Sequence, residues 1–279
     1  MTESVLTQII LPLVLGLIMF GMGLSLTKQD FLELGKEPKP VIVGLFGQLI
    51  LLPILAFAVA ILFGLSQHLA IGIMILAACP GGTSSNIISH LARANLALSV
   101  SLTAVTTLIC VFTTPLIIQF AVNQFDRNPA ESFSLLSTTL GLIFITLLPV
   151  LLGIVLRHKY PKQAIRSEPF FRRLATAFLI FMIIAITYQE RANIIESLSQ
   201  VLLPSISLNL IAIAVGVALG IVFKFVKRDC VTLGIEVGVQ NSSMAILIAV
   251  SFLDRPDYAI AAESRYYENY RCSANILGF

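Results

Sequence analysis

Charge is what this sequence has least of. Aspartate, glutamate, lysine and arginine make up 12% of its 279 residues, about half the share of a soluble domain. With 57% hydrophobic residues and a mean hydropathy of +0.93, that scarcity excludes a soluble globular protein. The net charge of +3 is small, and its meaning lies in its distribution. Cysteine is scarce too. Cys79, Cys110, Cys230 and Cys272 fall within or beside apolar stretches at no metal-ligand spacing, so no disulfide framework is implied. No basic segment precedes the first apolar run, and Met1-Thr2-Glu3-Ser4 leads straight into it, so a retained first span is expected rather than a cleaved signal peptide. No Lys-Ser/Thr pair follows Gly81-Gly82-Thr83, which excludes a phosphate-cradling loop.

What is present is a series of apolar stretches, each near the roughly 20 residues that cross a bilayer as a helix. Nine candidate spans fall at 5–26, 40–65, 69–91, 96–122, 133–156, 174–188, 201–225, 230–252 and 258–279. Their connections are short, so the chain reads as one integral, all-α membrane domain over 1–279. Of its 18 lysines and arginines, 13 lie in the loops after the odd-numbered spans and 3 after the even-numbered ones. The basic loops belong in the cytoplasm, which puts the N-terminus outside and the C-terminus inside a plasma membrane. The basic stretch 157–173 is then a topology determinant beside anionic lipid, not a nucleic-acid site. The ninth span is unusual in carrying Glu263, Arg265, Glu268 and Arg271; each charge costs about 2.5–3.5 kcal/mol near a bilayer centre.

Two of the spans are interrupted. Pro80-Gly81-Gly82-Thr83-Ser84-Ser85-Asn86 breaks the third and Glu236-Val237-Gly238-Val239-Gln240-Asn241-Ser242-Ser243 the eighth. Proline lacks the donor a helix needs, and paired glycines favour other dihedrals. Irregular backbone at membrane depth survives only when buried in protein or lining a wet cavity. Pairing spans one to four with six to nine makes each pair cross in opposite directions and matches the two breaks, as an inverted repeat requires. Broken segments in corresponding halves point to a transporter's binding site.

Beside the second break lies one intramembrane acid, Glu236, flanked by apolar residues; an acid there is a functional candidate by default. Ser85, Asn86, Ser99, Thr103, Gln240 and Asn241 offer the hydroxyl and amide oxygens that a hard cation such as Na⁺ takes. Ser99 and Thr103 share one helix face. Gln48 is a lone amide in an apolar stretch, of the kind that often joins helices.

The run Cys79-Pro80-Gly81-Gly82-Thr83-Ser84-Ser85-Asn86, with Leu91-Ala92-Arg93-Ala94-Asn95-Leu96-Ala97-Leu98-Ser99 after it, resembles the signature of the bile acid:sodium symporter family. Glu236-Val237-Gly238-Val239-Gln240-Asn241-Ser242 resembles that family's second signature. Phe20-Gly21-Met22-Gly23-Leu24 and the surroundings of Gln48 are similar as well, and the likeness extends to about Leu253. It implies a core of two crossing broken helices, about 40–122 and 201–279, packed against a panel, about 5–26 and 133–188. It also implies two sodium sites. One would use Ser85, Asn86, Ser99, Thr103 and Glu236; the other Gln48, Gln240, Glu236 and the carbonyls of Val237 and Val239. An amphipathic organic anion, such as a bile acid or a related carboxylate, would bind near Pro80, Gly81, Gly82, Thr83 and Asn241, between core and panel. The core would rock against the panel to carry it. Ten-span relatives have one further span before the first found here, and their last span is apolar where this one is charged.

Two other functions could draw on the same residues. An intramembrane hydrolase would use Ser84 or Ser85 with His90 as base, but no acid is placed to orient that imidazole. A passive channel or sensor could reuse the breaks, yet a single shared acid suits an occluded site better than a ring-lined filter. A non-enzymatic carrier is the expectation.

Overall fold

The computed structural model describes residues 11–27, 35, 38–126, 135–189, 194–253 and 255–260. Among them the structure is helical throughout, with one isolated β-bridge and no strand. The first helix, α1, is Leu11–Ser25. A long second helix, Pro38–Leu62, divides into α2 (Pro38–Phe46), a π turn (Gly47–Leu51) and α3 (Leu52–Leu62). The first broken helix follows as α4 (Gln67–Ala78) and α5 (Thr83–Leu91), and then α6 (Leu96–Phe125). Next come α7 (Leu135–Leu142), a second π turn (Ile143–Leu147) and α8 (Leu148–Lys159). Then come α9 (Pro161–Gln189), α10 (Ile194–Val222), and a second broken helix, α11 (Lys227–Gly238) and α12 (Ser242–Leu247), with a π turn (Ile248–Phe252) and a short 3₁₀ helix (Pro256–Ala259) after it.

Four helices are long and apolar enough to cross a membrane: Pro38–Leu62, Leu96–Phe125, Thr139–Lys159 and Gln200–Val222. Nine spans are therefore not counted among the described residues. The broken helices fail the length test because each half is short; α4 and α11 have 12 residues apiece, about 18 Å of helix. The expected ninth span, 258–279, lies outside the described residues beyond Ile260. The basic stretch expected as a loop at 157–173 is mostly helix, since α9 starts at Pro161. Proline is at home in a first helical turn, and Lys162, Arg166 and Arg173 are exposed, so the helix keeps its charges in water as it extends past its apolar part.

A third π turn is Ile248–Phe252, but the first two have one cause. Each precedes a Leu-Pro pair, Leu52-Pro53 and Leu148-Pro149. A proline ring inside a helix clashes with the carbonyl four residues back, here Leu49 and Ile145, and both lie within a π turn. The wider turn relieves the clash. Gln48 sits in the first of them and is buried.

The halves repeat a length pattern. Gly64 and Lys224 both take φ 58°, and each ends its helix with the same pair of bonds. Gly64 N–H donates to Ile61 O and Leu65 N–H to Ala60 O, as Lys224 N–H does to Ile221 O and Phe225 N–H to Gly220 O, a Schellman-type close. Helices of 12 residues follow both turns, and a break follows each of those. In packing, α1 lies against α8 and α9, α4 against α3 and α6, and α10 against α11. Small residues permit the last contact, since a Cβ on Gly220 would lie 2.8 Å from Cys230 Cα and one on Gly234 2.7 Å from Val217 Cγ2. Outward side chains such as Ile54, Leu116, Leu203 and Ile221 are apolar and more than half exposed, as a lipid-facing surface requires.

Candidate functional site

The site forms where the breaks meet. After Ala78 the chain runs extended, with Cys79 at ψ 152° and Gly82 at ψ 172°, before α5 begins at Thr83. After Gly238 it runs through Val239 at ψ 107° to Asn241, whose side chain accepts from Met244 N at 3.1 Å and caps α12. The extended pieces cross and pair. Gly81 and Gln240 form an antiparallel bridge, and Asn241 N–H donates to Pro80 O at 2.9 Å. Upstream, Thr114 Oγ1 donates to Ala78 O at 2.6 Å. Backbone groups that helices would have satisfied thus find partners in each other and in α6.

Glu236 lies fully buried on the last turns of α11. Ser99 Oγ donates to its Oε1 at 2.5 Å and Thr103 Oγ1 to its Oε2 at 3.0 Å. Asn86 Oδ1 stands 2.8 Å from Ser99 Oγ and 3.4 Å from Thr103 Oγ1. Ser85 Oγ donates to Gly82 O at 2.7 Å and reaches the same carboxylate. Ser85, Asn86, Ser99, Thr103 and Glu236 are therefore brought together from α5, α6 and α11. Their facing atoms are all oxygens, and the two hydroxyls share two protons among more than two acceptors. No ion pair to Glu236 occurs among the described residues. A buried carboxylate without a counter-charge is expensive by several kcal/mol, and oxygens in excess of protons are what a hard cation resolves.

A second group adjoins it. Gln48 Nε2 donates to Gln240 Oε1 at 3.2 Å, and Gln240 Nε2 donates to the carbonyls of Val237 at 3.0 Å and Glu236 at 3.3 Å. Gln48 Oε1 is buried with no hydrogen-bond partner. Gly81 separates the two groups. A Cβ there would meet Glu236 Oε2 at 2.7 Å, Thr103 Oγ1 at 3.4 Å and Gln48 Nε2 at 3.5 Å. Of the residues expected near substrate, Pro80, Gly81 and Gly82 are buried and Asn241 is 8% exposed. A cavity of about 320 Å³ lined by Pro53, Phe57, Met74 and Phe120 and one of about 490 Å³ by Ser66, Gln67 and Asp126 both lie away from the breaks.

Sequence reasoning passed over a polar latch at the start of α6. Asn95 caps that helix through Leu98 N at 3.2 Å, and its Nδ2 donates to Asp229 Oδ1 at 2.8 Å. Asn95 N–H donates to Thr232 Oγ1 at 2.9 Å. Asp229 is 4% exposed, a second buried acid on α11. The signal was spacing: Asn95 precedes Ser99 by four, and Thr232 and Asp229 precede Glu236 by four and seven, so each set shares a face. Of the residues a hydrolase would use, Ser84 and His90 are both exposed, and Ser85 donates to the Gly82 carbonyl.

A family model described as the sodium bile acid symporter family matches residues 12–197. An uncharacterized sodium-dependent transporter of Bacillus subtilis is 31% identical over 238 residues, 85% of this chain and 72% of its own length. A probable chloroplastic sodium/metabolite cotransporter of Arabidopsis thaliana is 32% identical over 246 residues, 88% of this chain and 60% of its own. A sodium-dependent organic anion transporter of the rat is 28% identical over 241 residues, 85% of this chain and 64% of its own.

Proposed function

This chain belongs to the sodium bile acid symporter family, and on that premise we propose that it is a sodium-coupled symporter that imports an amphipathic organic anion, such as a bile acid or a related carboxylate. The observation that carries the reading is the Glu236 carboxylate, fully buried, held by Ser99 and Thr103 and faced by Asn86 Oδ1. Relatives named as sodium-dependent organic anion and sodium/metabolite transporters favour sodium as the ion and an organic anion as the cargo.

Two sodium ions share the acid. Ser85, Asn86, Ser99, Thr103 and Glu236 hold the first. Gln48, Gln240, Glu236 and the carbonyls of Val237 and Val239 hold the second, and the unpartnered Gln48 Oε1 supports that assignment. The hydroxyls of Ser99 and Thr103 turn their lone pairs to the ion as it arrives, which draws α5, α6 and α11 together at the crossing. The anion binds beside Pro80, Gly81, Gly82, Thr83 and Asn241. Sodium that orders this crossing raises the anion's affinity, and the anion raises sodium's by the same factor; a typical coupling of about 1–3 kcal/mol is about 5–150-fold.

The chain works as one domain, with a core of about 40–122 and 201–279 rocking against a panel of about 5–26 and 133–188. The contacts of α1 with α8 and α9, and of α10 with α11, support that division. The matching turns at Gly64 and Lys224 support the inverted repeat. The basic loops lie in the cytoplasm, and the protein sits in the plasma membrane with its N-terminus outside. The test is uptake of radiolabelled taurocholate or of a small carboxylate into proteoliposomes under an inward sodium gradient. Uphill accumulation that potassium cannot drive, lost in Glu236→Ala while the protein still inserts, is the expected result. Uptake by the wild type that ignores the sodium gradient refutes symport and favours a passive channel.

A further inference from the structure

Three polar stripes converge along one seam that leads away from Glu236. On α11 the stripe is Asp229, Thr232 and Glu236; on α6 it is Asn95, Ser99 and Thr103. On α5 the buried positions are Ser85 and Ser89, one helical turn apart, and α5 packs against both other helices. The inner end of the seam is closed by the Ser99–Glu236 bond. The outer end is closed by Asn95, which bonds both Thr232 and Asp229. One turn beyond Ser85 on α5 is Ser89, fully buried, whose carbonyl accepts from Ala94 N–H, next to Asn95, and whose Oγ has no hydrogen-bond partner. A buried hydroxyl left unpaired costs about 1–3 kcal/mol. Beyond Asp229 the seam reaches the turns that carry Arg93, Lys227 and Arg228.

We propose that this seam is the sodium pathway between the Glu236 cluster and the membrane face bearing Arg93, Lys227 and Arg228, with Ser89 as the intermediate ligand and Asp229 as the anionic group at its mouth. The inference rests on the reading of the Glu236 cluster as a sodium site. Along α11 the stations Glu236, Thr232 and Asp229 rise by about 6 Å and then about 4.5 Å, steps over which an ion can pass from one set of oxygens to the next. The mouth is a weak site by construction. Asp229 and the Asn95 carbonyl attract a cation, while Arg93, Lys227, Arg228 and the N-termini of α6 and α11 oppose it. Conduction needs an outer site that is easily left, and such a balance provides one. Opening the seam means breaking the Asn95–Asp229 and Asn95–Thr232 bonds, which belong to side chains and to one backbone N–H and leave the helices whole.

The experiment uses the full chain in proteoliposomes. In Ser89→Cys, with the parent protein as control for the native cysteines, a small cationic methanethiosulfonate should modify position 89 from the face bearing Arg93, at least about fivefold faster in potassium than in sodium, since ion occupancy and accessibility are coupled. No modification above the parent in either salt, or equal rates in both, overturns the pathway. A second variant, Asp229→Asn, keeps an acceptor for Asn95 Nδ2 and removes only the charge. Its sodium-induced thermal stabilisation should persist while exchange of radiolabelled sodium slows by about tenfold, the scale of electrostatic focusing. Unchanged exchange overturns the role of Asp229, and a structural role alone would lower the thermal midpoint without slowing exchange by the folded protein. If sodium does not stabilise the wild type, the site reading and the pathway both fall. If it does and Ser89→Cys stays silent, the pathway alone falls.

Discussion

Asn241 donates its backbone N–H to the carbonyl of Pro80 at 2.9 Å, so the two broken helices are tied break to break. The bond joins residues far apart in sequence and sits beside the Gly81–Gln240 bridge. It makes the crossing a fixed frame, and the side chains of Glu236 and Gln240 inherit their positions from it.

Gly81→Ala tests how closely that frame fits. The new methyl would lie 2.7 Å from Glu236 Oε2 and 3.4 Å from Thr103 Oγ1; the carboxylate ends a flexible chain, but it can give way only by disturbing its bonds from Ser99 and Thr103. Overpacking costs about 1–3 kcal/mol, which here falls on the proposed sodium site. The half-saturating sodium concentration for uptake should rise by about 5–150-fold, with insertion into the membrane retained.

Gln48→Leu removes the unpartnered Oε1 and the donor to Gln240 Oε1. The buried Gln240 oxygen is then left without a partner, at about 1–3 kcal/mol. Sodium dependence of uptake should shift to higher concentration and lose steepness, because on the proposed assignment one of two ions is affected. Sodium titrations of initial uptake rate read both effects.

Pro53→Ala touches no proposed ligand. It removes the clash that keeps the π turn at Gly47–Leu51 and lets the helix regularise, which turns Gln48 away from Gln240. Weaker sodium activation should accompany an unchanged or higher thermal midpoint, a split that separates register from stability.

The two caps differ in worth. Asn241→Ala loses the bond to Met244 N, about 0.5–2 kcal/mol. Asn95→Ala loses the bond to Leu98 N and also strands Asp229, so its cost should be the larger of the two. Thermal unfolding in detergent ranks them, and the reverse order would contradict the latch.

Much of this was legible in the sequence because breaks in apolar spans have a local cause. Pro80, Gly81-Gly82 and the single acid Glu236 carry their signals within a few residues, and the oxygen-bearing residues follow at helical spacing. That the two breaks correspond was legible from their order, but the backbone bond between them was not, since an antiparallel bridge between Gly81 and Gln240 leaves no mark on either stretch. The π turn was missed for a different reason. A proline marks a disturbed helix but not the turn that absorbs the disturbance, which lies upstream of Pro53 at Gly47–Leu51. Asp229 was overlooked because Lys227 and Arg228 beside it read as a solvated loop, whereas Asn95 buries it. The extension of α9 through Arg166 and Arg173 escaped an apolar-run criterion because helices do not stop at the membrane surface.

The central claim is that one buried carboxylate and the oxygens around it bind sodium. Equilibrium binding of radiolabelled sodium to the purified protein, wild type beside Glu236→Gln, measures it without relying on any substrate. Saturable binding by the wild type that potassium does not displace, abolished in the variant, is the predicted result; equal sodium binding by the two proteins would contradict it.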